Sequence, residues 1–121
     1  MPLAASDKID LLFRAFADRT RLRILALLRE REEICVCDLE RVLKLPQAKV
    51  SRHLAYLRKA GLVAGRKDQQ WMHYRLLPPR SEFHAKLLEC LACCFGELPA
   101  LKADLKRLGT CCDVQGASCC D

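Results

Sequence analysis

No stretch of this 121-residue chain is apolar enough to span a bilayer; its longest strictly aliphatic run is the five residues from Ile24 to Leu28. Met1 to Lys8 lack a cationic segment followed by an apolar run. A cleaved signal, export and membrane partners are therefore not expected, and the cytoplasm is the expected compartment. Also missing are a nucleophile–base pairing, a phosphate-binding glycine loop and a catalytic metal spacing, so no enzymatic activity is expected. One further absence is local. From Arg41 to Lys67 there is no Asp or Glu, while eight basic residues stand there: Arg41, Lys44, Lys49, Arg52, Arg58, Lys59, Arg66 and Lys67. The chain's net charge of +6 is thus concentrated, because outside that window thirteen basic residues meet fifteen acidic ones. A confined basic field is the electrostatic footprint of a polyanionic partner.

What is present supports one folded domain: 51% of residues are apolar and 30% charged. Nine cysteines are many for such a chain. Their odd number, the vicinal pairs and the missing signal argue against a disulfide framework and for thiols kept reduced for metal or redox chemistry.

Apolar spacing predicts a first helix from Asp7 to about Ala17 (Ile9, Leu12, Phe13 and Phe16 inward) and a second from Arg19 to Arg31, capped by Asp18 or Thr20. Asp38 is expected to cap a short third helix, broken at Leu45-Pro46. A fourth should run from Gln47 to Ala60 with Val50, Leu54 and Leu57 inward and Gly61 as its left-handed stop. The period then changes to two: Leu62–Arg66 and Trp71–Leu76 flank a polar turn and read as a hairpin. Ser81 caps a further helix with the stripe His84, Leu87, Leu88, Leu91 and Phe95, and Gly96 and Pro99 kink or split it before a last amphipathic stretch, Leu98–Leu108. Residues 1–108 form the expected domain, and 109–121 a flexible Cys-rich tail.

Short helix, break, second helix and hairpin follow the order of a winged helix-turn-helix, a mainly α fold with a β-hairpin wing. In that motif the second helix lies in the major groove of double-stranded DNA. Its outward positions are Gln47, Lys49, Ser51, Arg52, His53 and Tyr56, a set able to pair with base edges and phosphates. Arg66, Lys67 and Gln70 at the hairpin tip reach the neighbouring groove or backbone.

The segments Ile34-Cys35-Val36-Cys37-Asp38-Leu39, Lys49-Val50-Ser51-Arg52-His53-Leu54-Ala55-Tyr56-Leu57-Arg58, Ala60-Gly61-Leu62-Val63 and Trp71-Met72-His73-Tyr74-Arg75-Leu76 resemble the ArsR/SmtB metalloregulators, closest to the arsenic-responsive repressors. Ala17 to Leu25 matches the family's second helix, and the resemblance covers about residues 10 to 95. It implies a homodimer joined through the first and last long helices. It also implies a repressor that leaves its operator when a thiophilic metalloid, As(III) or Sb(III), binds; no constitutive cofactor is implied.

The family's effector cysteines occupy the place of Cys35 and Cys37. Residues two apart in a regular helix diverge by about 200°, so chelation by both sulfurs should distort the first turn of the third helix and misplace the reading helix behind it. The family's commonest third cysteine is here Glu40. Either a ligand is borrowed, with Cys90, Cys93 and Cys94 as candidates on one arc of a helix, or the effector needs only two thiols, as a monomethylated arsenical would. Cys111, Cys112, Cys119 and Cys120 are weaker candidates. Glu82 and His84 resemble the start of a zinc site in some relatives, but His84 on the apolar stripe reads as a satisfied core histidine, and His73 as a structural or phosphate-contacting residue. Competing functions are a thiol-redox repressor, a cadmium, lead or zinc sensor, and a soft-metal buffer or chaperone.

Overall fold

A computed structural model describes residues 5–94 and 97–112, with side-chain surroundings for 9–93 and 97–109. In chain order the described elements are α1 (Ala5–Phe16), α2 (Arg19–Glu30), β1 (Ile34–Cys35), α3 (Val36–Leu43), α4 (Gln47–Lys59), β2 (Val63–Asp68), β3 (Trp71–Leu76), α5 (Glu82–Cys94) and α6 (Pro99–Cys112). The mainly helical winged architecture predicted from the sequence is what forms.

Local chemistry sets most boundaries. Asp18 caps α2 by accepting the Arg21 backbone N–H at 3.0 Å, a bond that stabilises a helix by about 1 kcal/mol. Lys44 closes α3 in the left-handed region (φ 58°), so the chain turns within three residues to Pro46, which caps α4. Gly61 (φ 79°) follows α4, where a side chain would strain the backbone. Gln69 (φ 58°) supplies the positive φ that the two-residue hairpin loop requires at its first position. Gly65 serves a different need: a Cβ there would lie 2.9 Å from both Met72 and Tyr74 side-chain atoms.

Four expectations change. Asp38 is not the cap of α3; that place is taken by Cys35, and Asp38 lies buried within the first turn. A third strand, β1, pairs antiparallel with β3 (Ile34 opposite Tyr74, Cys35 opposite His73), so the sheet order is β1-β3-β2. Two residues are too few for any period to be visible in sequence. α5 ends at Cys94 and α6 opens at Pro99, the split expected here, but α6 continues through Gly109 to Cys112, into the stretch expected to lack structure. On α1, Leu12 is buried, but Ile9 and Phe13 stay 42% and 54% exposed, Phe13 meeting Phe83 of α5 edge to face at 5.1 Å.

The core gathers Ile24, Leu25 and Leu27 of α2, Leu39 and Val42 of α3, and Val50, Leu54 and Leu57 of α4. Fully burying each of these side chains stabilises the fold by about 1.5–3 kcal/mol. The three inward residues of α4 are fully buried, so the helix is held along one face and leaves the opposite one open. α6 packs on α2 and α3. Its buried Asp104 accepts from Arg23 (2.7 and 2.9 Å) and Arg107 (2.6 Å). These two guanidinium groups also donate to the Leu43 and Val42 carbonyls (3.2 and 2.7 Å). The last carbonyls of α3 lack intrahelical donors, and two cations at that end suit its negative pole.

Candidate nucleic-acid interface and thiol site

Among residues assigned to DNA contact, Gln47, Lys49, Ser51 and Arg52 of α4 are exposed, as are Arg66, Lys67 and Gln70 of the hairpin. His53 and Tyr56 do not share that open face. Both are half-buried against α2, where Arg21 places its guanidinium 4.2 Å from the Tyr56 ring centroid and 3.4 Å from His53 Nδ1. Arg21 also donates to the Ala15 and Arg14 carbonyls at 3.0 and 2.7 Å. Apolar spacing on α4 gave no sign of Arg21, because only the crossing of α2 and α4 brings it there. Burial lowers the His53 pKa, opposed by Asp18 at 3.8 Å and reinforced by the nearby Arg21, Lys49 and Arg52 charges. Burial disfavours the Asp18 carboxylate, yet the Arg21 backbone bond and the His53 and Arg21 charges outweigh it and lower its pKa.

In the wing, Arg66 is exposed but engaged: Glu33, from the turn before β1, receives two of its N–H groups at 2.6 and 2.8 Å. That bond, reinforced by the Arg66, His73 and Arg75 charges, lowers the Glu33 pKa against the cost of burial. Glu33 lies outside the basic window and attracted no attention in sequence. Hairpin register and β1 pairing together put Cys35, His73 and Arg66 in one row across the sheet.

The thiol pair differs from expectation in an instructive way. Cys35 Sγ and Cys37 Sγ lie 3.3 Å apart. Convergence needs no distorted helix, because Cys35 is the extended N-cap (φ −70°, ψ 144°) and Cys37 follows inside the first turn. The conflict predicted between helix geometry and chelation is therefore absent at this junction. Cys35 is 2% exposed, whereas Cys37 opens onto a shallow cleft of about 410 Å³ shared with Glu40, Arg41 and Lys44.

Among the described residues no group of three Cys, His, Asp or Glu is placed to hold a metal. Cys90 and Cys93 are exposed on α5 and do not join Cys35 and Cys37 in such a group. The side chains of Cys94, Cys111 and Cys112, and all of Cys119 and Cys120, lie outside the described residues. His84 is buried, yet only half satisfied: Nδ1 accepts the Arg80 backbone N–H at 3.2 Å, while Nε2 has no partner among the described residues. Glu82 is exposed.

Short helix, left-handed bend, second helix with an open polar face and adjoining hairpin define a winged helix-turn-helix protein. The chain belongs to the bacterial regulatory protein arsR family, whose pattern matches residues 18–64. It is 50% identical over 78 residues to the arsenical resistance operon repressor of Escherichia coli K12, covering 64% of this chain and 67% of that protein. HlyU from Vibrio cholerae N16961 superposes with a TM-score of 0.64 at 36% identity, over 75% of this chain and 95% of that one. The AntR antimony-specific transcriptional repressor gives 0.64 at 26% identity, over 79% and 84% respectively. The chain is thus a DNA-binding transcriptional regulator, closely related by sequence to ArsR-type repressors. No described helix is long and apolar enough to cross a membrane.

Proposed function

We propose that this regulator is a homodimeric repressor that leaves its operator when trivalent arsenic or antimony binds Cys35 and Cys37. The observation that carries the proposal is the 3.3 Å approach of the two sulfurs. Two bonds of about 2.3 Å meeting near a right angle span about 3.3 Å, as in a pyramidal metalloid, whereas a tetrahedral ion would hold them about 3.8 Å apart. Two sulfurs suit a soft metalloid, whereas a structural zinc site takes four ligands and no group of three Cys, His, Asp or Glu forms among the described residues. The metalloid supplies two metal–sulfur bonds; everything else is the work of the chain. The α3 N-terminus favours the ligating thiolates. Cys37 admits the ligand from the cleft, and drawing the buried Cys35 sulfur onto the same ion shifts β1, in which Cys35 lies. From there β3 and the Glu33–Arg66 bond lead to the wing, and α3 leads through Leu39 and Val42 to α4. DNA contacts are assigned to Gln47, Lys49, Ser51 and Arg52 on the open face of α4 and to Lys67, Gln70 and a released Arg66 in the wing. His53 and Tyr56 serve by orienting that helix against α2. A second copy covers Ile9 and Phe13.

The test is fluorescence anisotropy on a duplex selected from a random-sequence pool by the reduced protein. Arsenite and antimonite should release the DNA, and zinc and cadmium should not. Cys35→Ser and Cys37→Ser should bind DNA as the parent does and stay bound in arsenite; release from either variant refutes the assignment.

A second reading rests on the same proximity. Peroxide could join the two thiols, taking two electrons and two protons to form one disulfide and two waters. Release by peroxide with a chelator present, and no response to arsenite, would favour it.

A further inference from the structure

We infer that Arg21, at the start of α2, is the positioning residue for base readout: it touches no DNA itself, but ties the reading helix α4 to the end of α1 and so fixes the angle at which α4 meets the groove. Its backbone is set first, since its N–H is the one that Asp18 accepts in capping α2. The side chain then forks onto α1. Nε donates to the Ala15 carbonyl at 3.0 Å and Nη2 to the Arg14 carbonyl at 2.7 Å. Both oxygens belong to the last turn of α1, where carbonyls lack intrahelical donors and the negative pole favours a cation. The same guanidinium also meets α4. Its centre lies 4.2 Å from the Tyr56 ring centroid, a cation–π distance, and Nη1 lies 3.4 Å from His53 Nδ1. Because a guanidinium nitrogen can only donate, that ring nitrogen accepts and the neutral imidazole carries its proton on Nε2.

This strut supplies what the apolar contact of α4 leaves undetermined. Val50, Leu54 and Leu57 form one narrow buried stripe, about which a helix can roll. His53 and Tyr56 lie on the same flank of that stripe, about 60° and 120° around the wheel from Val50, so holding them stops the roll. The open face of α4 keeps its bearing with them. Bidentate pairing with a base edge requires orientation within about 10–20°, whereas a flexible basic side chain finds a phosphate over a much wider range. The tie therefore governs which sequence is held more than how strongly DNA is held. A direct phosphate contact suits Arg21 less well, because three of its five N–H groups and one face are engaged inside the protein. The inference rests on α4 as the base-reading helix and requires nothing of Cys35, Cys37 or the response to arsenic.

The test titrates the reduced full-length protein, by fluorescence anisotropy across a salt series, onto the duplex it selects and onto a shuffled duplex of the same composition. The ratio of the two affinities reads discrimination, and the salt slope reads phosphate contacts. Arg21→Ala should lower the ratio at least about tenfold, the scale of one lost base contact, and leave the salt slope on the shuffled duplex unchanged. Arg21→Lys keeps the charge but not the fork, so it should lose discrimination likewise, and it serves if the alanine variant does not fold. Tyr56→Phe retains the ring against Arg21 and should match the parent, whereas Tyr56→Leu should fall with the Arg21 variants. Arg52→Ala, on the open face, is the control for α4 and should lower the ratio too. A slope shallower by about one in Arg21→Ala, restored in Arg21→Lys, makes Arg21 a phosphate ligand and overturns the inference. Equal losses on both duplexes, which a merely less folded protein gives, overturn it as well, as does a loss in Tyr56→Phe equal to that in Tyr56→Leu. If Arg52→Ala lowers the ratio and the Arg21 variants do not, this inference alone falls; if none of them lowers it, the reading of α4 falls with it.

Discussion

Cys35 and Cys37, and behind them Cys90 and Cys93 of the borrowed-ligand cluster, look able to take a soft ligand in sequence, and the fold treats the two pairs in opposite ways. Cys35 and Cys37 straddle a strand–helix boundary, where the extended N-cap turns the first sulfur toward the second until they are 3.3 Å apart. Cys90 and Cys93 sit one turn apart on α5, share an arc, and stand in solvent. Their spacing satisfies the helical rule better, but among the described residues nothing gathers with them into a site. Preorganisation distinguishes the pairs. The junction is pinned by β3 on one side and, at the far end of α3, by Arg23 and Arg107 bridging to Asp104. Among the described residues, Cys90 and Cys93 have no such brace.

The largest effect should separate the pairs directly. Losing either Cys35 or Cys37 forfeits chelation and should raise the arsenite concentration for half-release at least about a hundredfold, whereas Cys90→Ser/Cys93→Ser should leave it unchanged. A matched loss in the double α5 variant would erase the distinction. Next comes the brace. Asp104→Ala strands Arg23 and Arg107 beside the end of α3 and should cost about 3–5 kcal/mol in urea unfolding; a loss below about 1 kcal/mol, the scale of an exposed pair, would show that α6 does not secure the junction.

A subtler test concerns the tie from junction to wing. Glu33→Gln releases Arg66 for a phosphate, so the slope of log affinity against log salt should steepen by about one. An unchanged slope would mean that Arg66 stays off the DNA even when free. The smallest effect should be acid sensitivity away from the thiols. Burial lowers the pKa of both His53 and His84, so the unfolded chain binds more protons near and below the ordinary value of 6.5. Stability should therefore fall as pH drops through 6.5 toward each lowered folded pKa, and be flat above 7. Thermal melts of His53→Gln/His84→Gln should show a shallower decline between pH 7 and 5.

Much of this molecule is legible one residue at a time. The 3.6-residue stripe of Val50, Leu54 and Leu57 assigned α4, Asp18 announced the start of α2, Gly61 the stop after α4, and the alternation from Trp71 to Leu76 the wing. The acid-free window from Arg41 to Lys67 located the basic face without any coordinates. The misses share one physical cause. Asp favours capping positions and so marks Asp38 as a cap, but β1 pairing draws Cys35 into extended backbone and the helix starts earlier. A helical wheel sets His53 and Tyr56 outward because it knows only its own core, not the Arg21 that α2 places beside them.

Periodicity and local propensity, both short-range properties of the chain, determined the elements, their order and the charge of the face that α4 presents. Whether two sulfurs meet, whether Arg66 is held by Glu33, and whether His84 finds an acceptor were decided only when segments dozens of residues apart packed together. Those distances depend on crossings and register, to which no single segment of sequence has access.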